Sequence, residues 1–389
     1  MVAVGDLTGS GGAEREFSHL FEYLARRADG GATLITSAIS VRRLREAGRL
    51  VSSAGVIALP LGPKPAQGAI GIAWLTLTLL WATLGRRFDV IHLCLPTPSY
   101  VPYAAVLTRL PRALRPRLVL TVIDCTLAHN LMTNAASDLY EQQVVDAHRL
   151  YFRWTHLDGV YTWYQAFATA ARAQRWLSSD AVLRAARYCF TEPSRFMPAA
   201  VKEKLVIFAG RLSAQKRPLL FVDAVASLLR RHADIARGWS FEMYGSGVLE
   251  SDVRARIAAL NLERAITLTS APDLAPVFAR TQLFVSTQAY ENFTSLAMLE
   301  AMAAGNAVIA ENAGQTDEFV KHGHNGYAIA EPASADVFAD AIAEYMRRPD
   351  THERMAAASR ALATEVHTIE HFAADIMSFW RDVAGRGAA

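Results

Sequence analysis

The sequence predicts an α/β protein of two doubly wound Rossmann-like domains facing a central cleft. Its 389 residues exceed what a single hydrophobic core ordinarily supports. Short apolar runs alternate with longer amphipathic stretches, the pattern of parallel strands covered by helices on both faces. That alternation occurs twice, and the second series starts afresh after Pro198 and the polar link 199–204.

In the first domain, residues 1–199, a short apolar strand at the amino terminus runs into GSGGAER, where Gly9, Gly11 and Gly12 precede a helix starting near Ala13. Apolar runs at 33–36, 56–61, 90–95 and 118–123 supply further strands, with helical patterns between them. Between the strands at 56–61 and 90–95, the stretch 65–85 holds no charged residue and is followed at once by Arg86 and Arg87. Its length approaches that of a membrane span, but a crossing there would cut the sheet in two. The expectation is a helix buried within the fold, with a helix dipping into a membrane surface as the alternative. The second domain, residues 200–365, repeats the architecture with strands at 205–209, 241–244, 266–268, 283–286 and 307–310. A last amphipathic stretch, from about 369 to 383 and carrying Trp380, predicts that 366–389 returns to pack on the first domain.

Composition narrows the function classes. Hydrophobic residues at 52% against 20% charged exclude a largely disordered chain. A net charge of +3 is too small to argue for nucleic acid. Cys94, Cys125 and Cys189 are odd in number and lack CxxC spacing, which predicts buried reduced thiols and neither a zinc site nor a disulfide framework. The opening MVAVGDLTGSGGAER has no basic region followed by an apolar run, so a cytoplasmic location is expected, with peripheral contact to the inner membrane face left open by 65–85.

Four segments carry chemistry. The amino-terminal glycine turn can bring backbone N–H groups and a helix end towards an anion, although a tight turn without a ligand satisfies the same glycines. In LVIFAGRLSAQKRP, a buried strand ends at Gly210, and Arg211 and Lys216 lie in the loop to the next helix. Two cations there can neutralise a diphosphate, one by a forked contact and one as a point charge; a solvated loop is the plainer reading. FEMYGSGVLE repeats the strand and glycine turn at Gly245 and Gly247. Finally, in STQAYENFTSLAMLEAMAAG, Glu291 sits in a loop and Glu300 within a helix among apolar and small neighbours. A carboxylate so placed is partly buried and needs partners; it can hold sugar or ribose hydroxyls or stabilise a developing oxocarbenium ion.

Taken in order, GSGGAER, DGVYTWYQAF at Asp158, FMP at Phe196, GRLSAQKRP at Gly210, YGSG at Tyr244, ENFTSLAMLEAMAAG at Glu291 and GHNGYAI at Gly323 resemble the retaining GT-B glycosyltransferases of family GT4, the glycosyl transferases group 1, over nearly the whole chain. The resemblance implies transfer of a sugar from a UDP- or GDP-sugar to a hydroxyl of a glycan or lipid-linked acceptor, with the donor as substrate, no cofactor and no metal. It implies that Arg211 and Lys216 bind the donor diphosphate, Glu300 the ribose hydroxyls, and Glu291 the transferred sugar. Gly210 and Gly245 would belong to the donor site. Asn292, Phe293, Thr294 and Ser295 would offer backbone amides, and Gly11 and Gly12 the amino-terminal loop near diphosphate and acceptor. The carboxyl-terminal domain would then bind the donor and the amino-terminal domain the acceptor.

The sequence departs from that pattern at three places. Eight residues separate Glu291 from Glu300 where seven are usual. The usual histidine before Asp124 is Ile123, so Asp124 and, from the following loop, His129 are the remaining candidates for contacting sugar or acceptor. Trp163 and Tyr164 replace a common serine, as core filling in preference to an acceptor-stacking platform. A nucleotide-sugar epimerase, a phosphorylase of the same plan and a catalytically idle binding subunit are the alternative readings.

Overall fold

Two parallel sheets organise the chain in the computed structural model, which describes residues 2–4, 7–8, 12–27, 31–52, 55–60, 68–86, 88–122, 125–133, 139–293 and 295–385. Gly11, Asp124 and Thr294 lie outside the described residues. The chain divides into two units, Met1–Arg187 with Ile369–Ala389, and Tyr188–Thr368. The sequence placed its boundaries at 199/200 and 365/366; the segment 188–199 packs with the second unit.

The first unit runs β1 (Val2–Val4), α1 (Gly12–Ala25), β2 (Thr33–Ser37), α2 (Ala38–Glu46), β3 (Val56–Leu59), α3 (Gly68–Leu84), β4 (Val90–Leu93) and α4 (Val101–Arg109). It continues through β5 (Arg117–Val122), α5 (Cys125–Thr133), α6 (Leu139–Trp154), β6 (Gly159–Thr162), α7 (Gln165–Ala173) and β7 (Val182–Ala185). Its seven described strands are ordered β3-β2-β1-β4-β5-β6-β7, all parallel. The order reverses direction between β1 and β4. Strands buried on both faces read as unbroken apolar runs, which is why β4 and β5 were visible in the sequence. β6 and β7 were not, because four-residue strands bearing Gly159 and Arg184 give too short an apolar signal.

At the amino end of β6, buried Asp158 accepts from the Leu118 amide at 2.8 Å and from the Arg115 guanidinium at 2.6 Å. That ion pair fixes β5 against β6 and lies at the sheet end away from the carboxyl-terminal loops. Trp163 and Tyr164 are buried, as core filling requires; the Trp163 ring meets Phe17, Tyr161 and Phe372 at 5.5–5.9 Å. Cys94 and Cys189 are buried free thiols, and the Cys125 side chain lies outside the described set.

The second unit runs β8 (Glu203–Ala209), α8 (Pro218–Arg231), α9 (Ala233–Ala236), β9 (Ser240–Tyr244), α10 (Glu250–Ala259), β10 (Ile266–Thr269), α11 (Ala275–Arg280) and β11 (Thr281–Ser286). Then come α12 (Leu296–Ala303), β12 (Ala307–Glu311), β13 (Gly326–Ile329), α13 (Ala335–Arg347) and α14 (His352–Ala361). The sheet order is β10-β9-β8-β11-β12-β13, again parallel throughout, with its reversal between β8 and β11. The core on one side of this sheet joins Phe208, Phe221, Val225 and Leu228 to Phe338, Ile342 and Tyr345.

The terminal helix α15 (Ile369–Gly385) packs on α1, β4 and β7 of the first unit. Trp380 donates its indole N–H to His92 Nδ1 at 3.2 Å, so His92 is neutral with its proton on Nε2, which donates to Thr121 Oγ1 at 2.5 Å.

The stretch 65–85 is corrected in one respect. Its residues 68–84 form α3, but only one side is buried: Leu75, Leu79 and Ala82 face inwards while Trp74 and Trp81 face outwards. Hydrophobic composition placed the helix in the core, whereas the sheet offers it one supporting layer. Among the described residues no helix is long and apolar enough to cross a membrane.

Candidate active site

The reversal between β8 and β11 is where a doubly wound sheet opens a crevice at its carboxyl edge, since the connections leave in opposite directions. Three loops gather there: 210–217 after β8, 287–295 after β11 and 312–316 after β12.

The first loop leaves β8 at Gly210. A Cβ on Gly245, in the turn after β9, would stand 1.9 Å from the Gly210 carbonyl oxygen, so the two glycine turns meet backbone to backbone. Arg211 is exposed, and its guanidinium has no hydrogen bond or ion pair among the described residues. The Lys216 stem passes over Gly210, and its ammonium donates to the Gln288 side-chain oxygen in the loop after β11. Gln288 in turn donates its amide to the Glu291 carbonyl. The Thr287 hydroxyl binds the carbonyls of Lys216 at 2.8 Å and Arg217 at 3.0 Å, which closes the two loops on each other.

Sequence reasoning missed Arg217. It adopts a left-handed conformation, φ 45°, immediately before Pro218 opens α8, and its guanidinium donates to the Thr287 carbonyl at 2.6 Å and pairs with Glu311. Glu311, fully buried at the end of β12, also accepts from the Ala333 amide at 3.0 Å. This pair, half-buried Arg217 on buried Glu311, ties all three loops together. Its only trace in the sequence is a third basic residue in QKRP, where charge alone does not separate a ligand contact from a brace.

Glu291 is buried, with one carboxylate oxygen accepting from the Phe293 amide at 2.8 Å and both from the Gln315 amide at 2.9 Å. Burial raises its pKa to about 7, opposed by those backbone hydrogen bonds. Gly314 is required beside it: at φ 59°, a Cβ there would lie 2.3 Å from a Glu291 carboxylate oxygen. Two of the following residues expected to offer backbone amides have acceptors within the loop. The Phe293 amide is directed to Glu291 and the Ser295 amide to the Asn292 carbonyl at 2.9 Å, so neither points outwards. Each N–H carries one strong bond, and the tight turn supplies its acceptor locally.

Asn292 is a brace as well. Its amide donates to the Glu311 carbonyl at 3.2 Å and Thr316 Oγ1 at 3.0 Å, and its oxygen accepts from the Ser286 hydroxyl at 2.6 Å. The Phe293 ring anchors the loop against Phe319 at 5.2 Å and His367 at 6.0 Å. Glu300 is buried in α12, one turn beyond the helix start at Leu296.

In the first unit, Gly12 opens α1 after β1, beside the reversal between β1 and β4. His129 lies half-buried within α5, where a loop was expected. The helix begins directly after the β5 exit, so the polar segment around His129 is its second turn.

Residues 191–362 match the family model described as glycosyl transferases group 1. Among curated proteins, the chain is similar to spore coat protein SA of Bacillus subtilis strain 168, 24% identical over 183 residues, 46% of this chain and 48% of that protein. It is also similar to the D-inositol 3-phosphate glycosyltransferase of Pseudarthrobacter chlorophenolicus, 32% identical over 161 residues, 40% of this chain and 38% of that one. These matches span about half the length of the curated relatives or less. Among solved structures, Anabaena HepE in complex with UDP and glucose superimposes with a TM-score of 0.70 at 19% identity, covering 97% of this chain and 98% of that one. The fold is therefore GT-B, two Rossmann-like units in one chain.

Proposed function

We propose that this protein is a retaining glycosyltransferase of the GT4 type, transferring a hexosyl group from a nucleotide-diphosphate sugar to a hydroxyl acceptor in polysaccharide, glycolipid or other glycan biosynthesis. The observation that carries the reading is the clustering, at the β8–β11 reversal, of two cations and a buried carboxylate on cross-braced loops. The Arg211 guanidinium, without a hydrogen bond or ion pair among the described residues, is available to a dianion, and the Lys216 ammonium of the same loop stands on the Gln288 amide oxygen. The match of 191–362 to glycosyl transferases group 1 supports the same assignment for the second unit.

In this reading the second unit binds the donor and the first the acceptor. Arg211 and Lys216 take up the charge that grows on the departing diphosphate, and the glycine backbones of Gly210 and Gly245 let it approach. Glu300 holds the ribose hydroxyls. Glu291, ionised, stabilises positive charge at the anomeric carbon while the acceptor hydroxyl attacks from the face the diphosphate leaves and passes its proton to a departing diphosphate oxygen, retaining configuration. Gly11, Gly12, Asp124 and His129 are assigned to the acceptor side and the amino-terminal loop. UDP heads the donor candidates because HepE was solved with it; GDP is the other.

The test is a thermal-shift panel of nucleotide diphosphates and their sugars, followed by NMR of the product. Stabilisation by one nucleotide, and an acceptor adduct with the donor's anomeric configuration, are expected. An inverted product removes the retaining mechanism. An altered free sugar or consumption of inorganic phosphate replaces transfer with epimerisation or phosphorolysis.

A further inference from the structure

Along α3, apolar residues on opposite faces have different surroundings. Leu75, Leu79 and Ala82 are buried, whereas Ile70, Trp74, Leu77, Trp81 and Leu84 are 88, 56, 62, 69 and 41% exposed. Their spacing of four, three, four and three residues sets them in a single stripe along the helix. Val106 extends it on α4, which packs beside α3. The helix also hides its polar atoms: the hydroxyls of Thr76, Thr78 and Thr83 donate to the carbonyls of Ile72, Trp74 and Leu79 at 2.7–2.8 Å.

Charge identifies what covers the stripe. Residues 62–121 contain seven Lys and Arg but one acidic residue, Asp89. Arg86 follows α3 with its guanidinium 5.6 Å from the centre of the Trp81 ring, and Arg109 closes α4. Each donates to a carbonyl of its own helix, and neither has an ion-pair partner among the described residues. By contrast, exposed Arg112 is paired with Asp180 and buried Arg115 with Asp158. An apolar stripe with two tryptophans, flanked by uncompensated cations, matches an anionic bilayer interface, where indoles sit at headgroup depth and guanidinium groups meet phosphates. A symmetric contact with a second copy brings the arginines near one another and leaves their charge unanswered. At 17 residues, about 25 Å, α3 is shorter than the roughly 30 Å hydrocarbon layer, and its inner face is occupied by the protein.

We propose that α3 lies in the plane of an anionic membrane surface, with Trp74, Leu77 and Trp81 at the boundary between headgroups and acyl chains and Arg86 and Arg109 on the phosphates. The surface operates independently of donor chemistry, so it is tested without substrate. The full chain is sedimented with vesicles of phosphatidylcholine alone or mixed in equal parts with phosphatidylglycerol. Binding to the anionic vesicles is expected, weakened by high salt and reduced at least about tenfold in the Trp74→Ser/Trp81→Ser variant. The Arg86→Gln/Arg109→Gln variant is expected to lose the preference for anionic vesicles. All four substituted side chains are exposed, and unchanged melting curves verify that the variants fold. No binding to either vesicle, or wild-type binding by the double Trp variant, overturns the proposal. So does a lipid-free dimer in sedimentation velocity that the Trp variant converts to monomer without loss of vesicle binding.

Discussion

Lys216 is the residue whose removal reads most directly on the chemistry. Its ammonium donates to Gln288, and its stem crosses Gly210 at the loop where the diphosphate is assigned, so the effect of Lys216→Ala is expected on the reaction. At saturating donor, kcat is expected to drop about 100-fold with a smaller change in KM. Unchanged kcat removes Lys216 from the transition state. Glu291 sets a pH dependence of definite sign. Its pKa of about 7 lies above the ordinary 4.5 because burial disfavours the charge, so the active ionised form is lost as pH falls through 7. The acidic limb of kcat/KM is expected near that value in wild type and absent from the residual activity of Glu291→Gln. An identical limb in both assigns it to another group. The folded state holds that proton more tightly than the unfolded one, so this carboxyl stabilises the fold below about 4.5 and its contribution fades as pH rises through 7.

At the scale of elements, His92 and Trp380 decide where the last helix belongs. Burial lowers the His92 pKa from 6.5 to about 3, and its two nitrogens join β4 to β5 and to α15. The unfolded chain takes up a proton below 6.5 and the folded unit does not. The contribution is whole above 6.5 and is lost towards 3 at about 1.4 kcal/mol per pH unit. Denaturation followed by tryptophan fluorescence reports mainly the first unit, which holds six of the seven tryptophans. Its midpoint is expected to fall between pH 7 and 5 in wild type, and His92→Leu, less stable at neutral pH, is expected to flatten that slope. Parallel slopes in the two proteins place the acid sensitivity elsewhere. Trp380 was visible in the sequence as an apolar residue in an amphipathic helix. His92 read only as one polar residue in a strand, because its partners lie 29 and 288 residues away.

Across the whole molecule, the two units are expected to respond separately to donor. A nucleotide that binds the second unit raises the transition of that unit by about 2.7 kcal/mol at a hundred times its Kd. Trp239 lies in the second unit, so with the other six tryptophans replaced by Phe it reports that transition alone. Stabilisation confined to the first unit reverses the assignment of donor and acceptor.

Most strands of both sheets were legible because a strand buried on both faces is largely apolar, a local property; the four-residue β6, β7 and β13 were too short to give that signal. The cations and carboxylates were legible as residue types at strand exits. Whether Arg217, Asn292 and Phe293 serve a ligand or brace the loops was not legible. A hydrogen-bonding side chain has the same sequence in either role, and its partners, Glu311, Thr316 and His367, are distant along the chain. The sequence by itself thus determined the alternation of strand and helix, the two-unit plan and the kinds of charge at the loop ends, since backbone preference and burial act residue by residue. Tertiary structure alone decided which charges are neutralised from within, where Glu291 titrates, and that half of α3 faces outwards, since each depends on neighbours that only folding brings together.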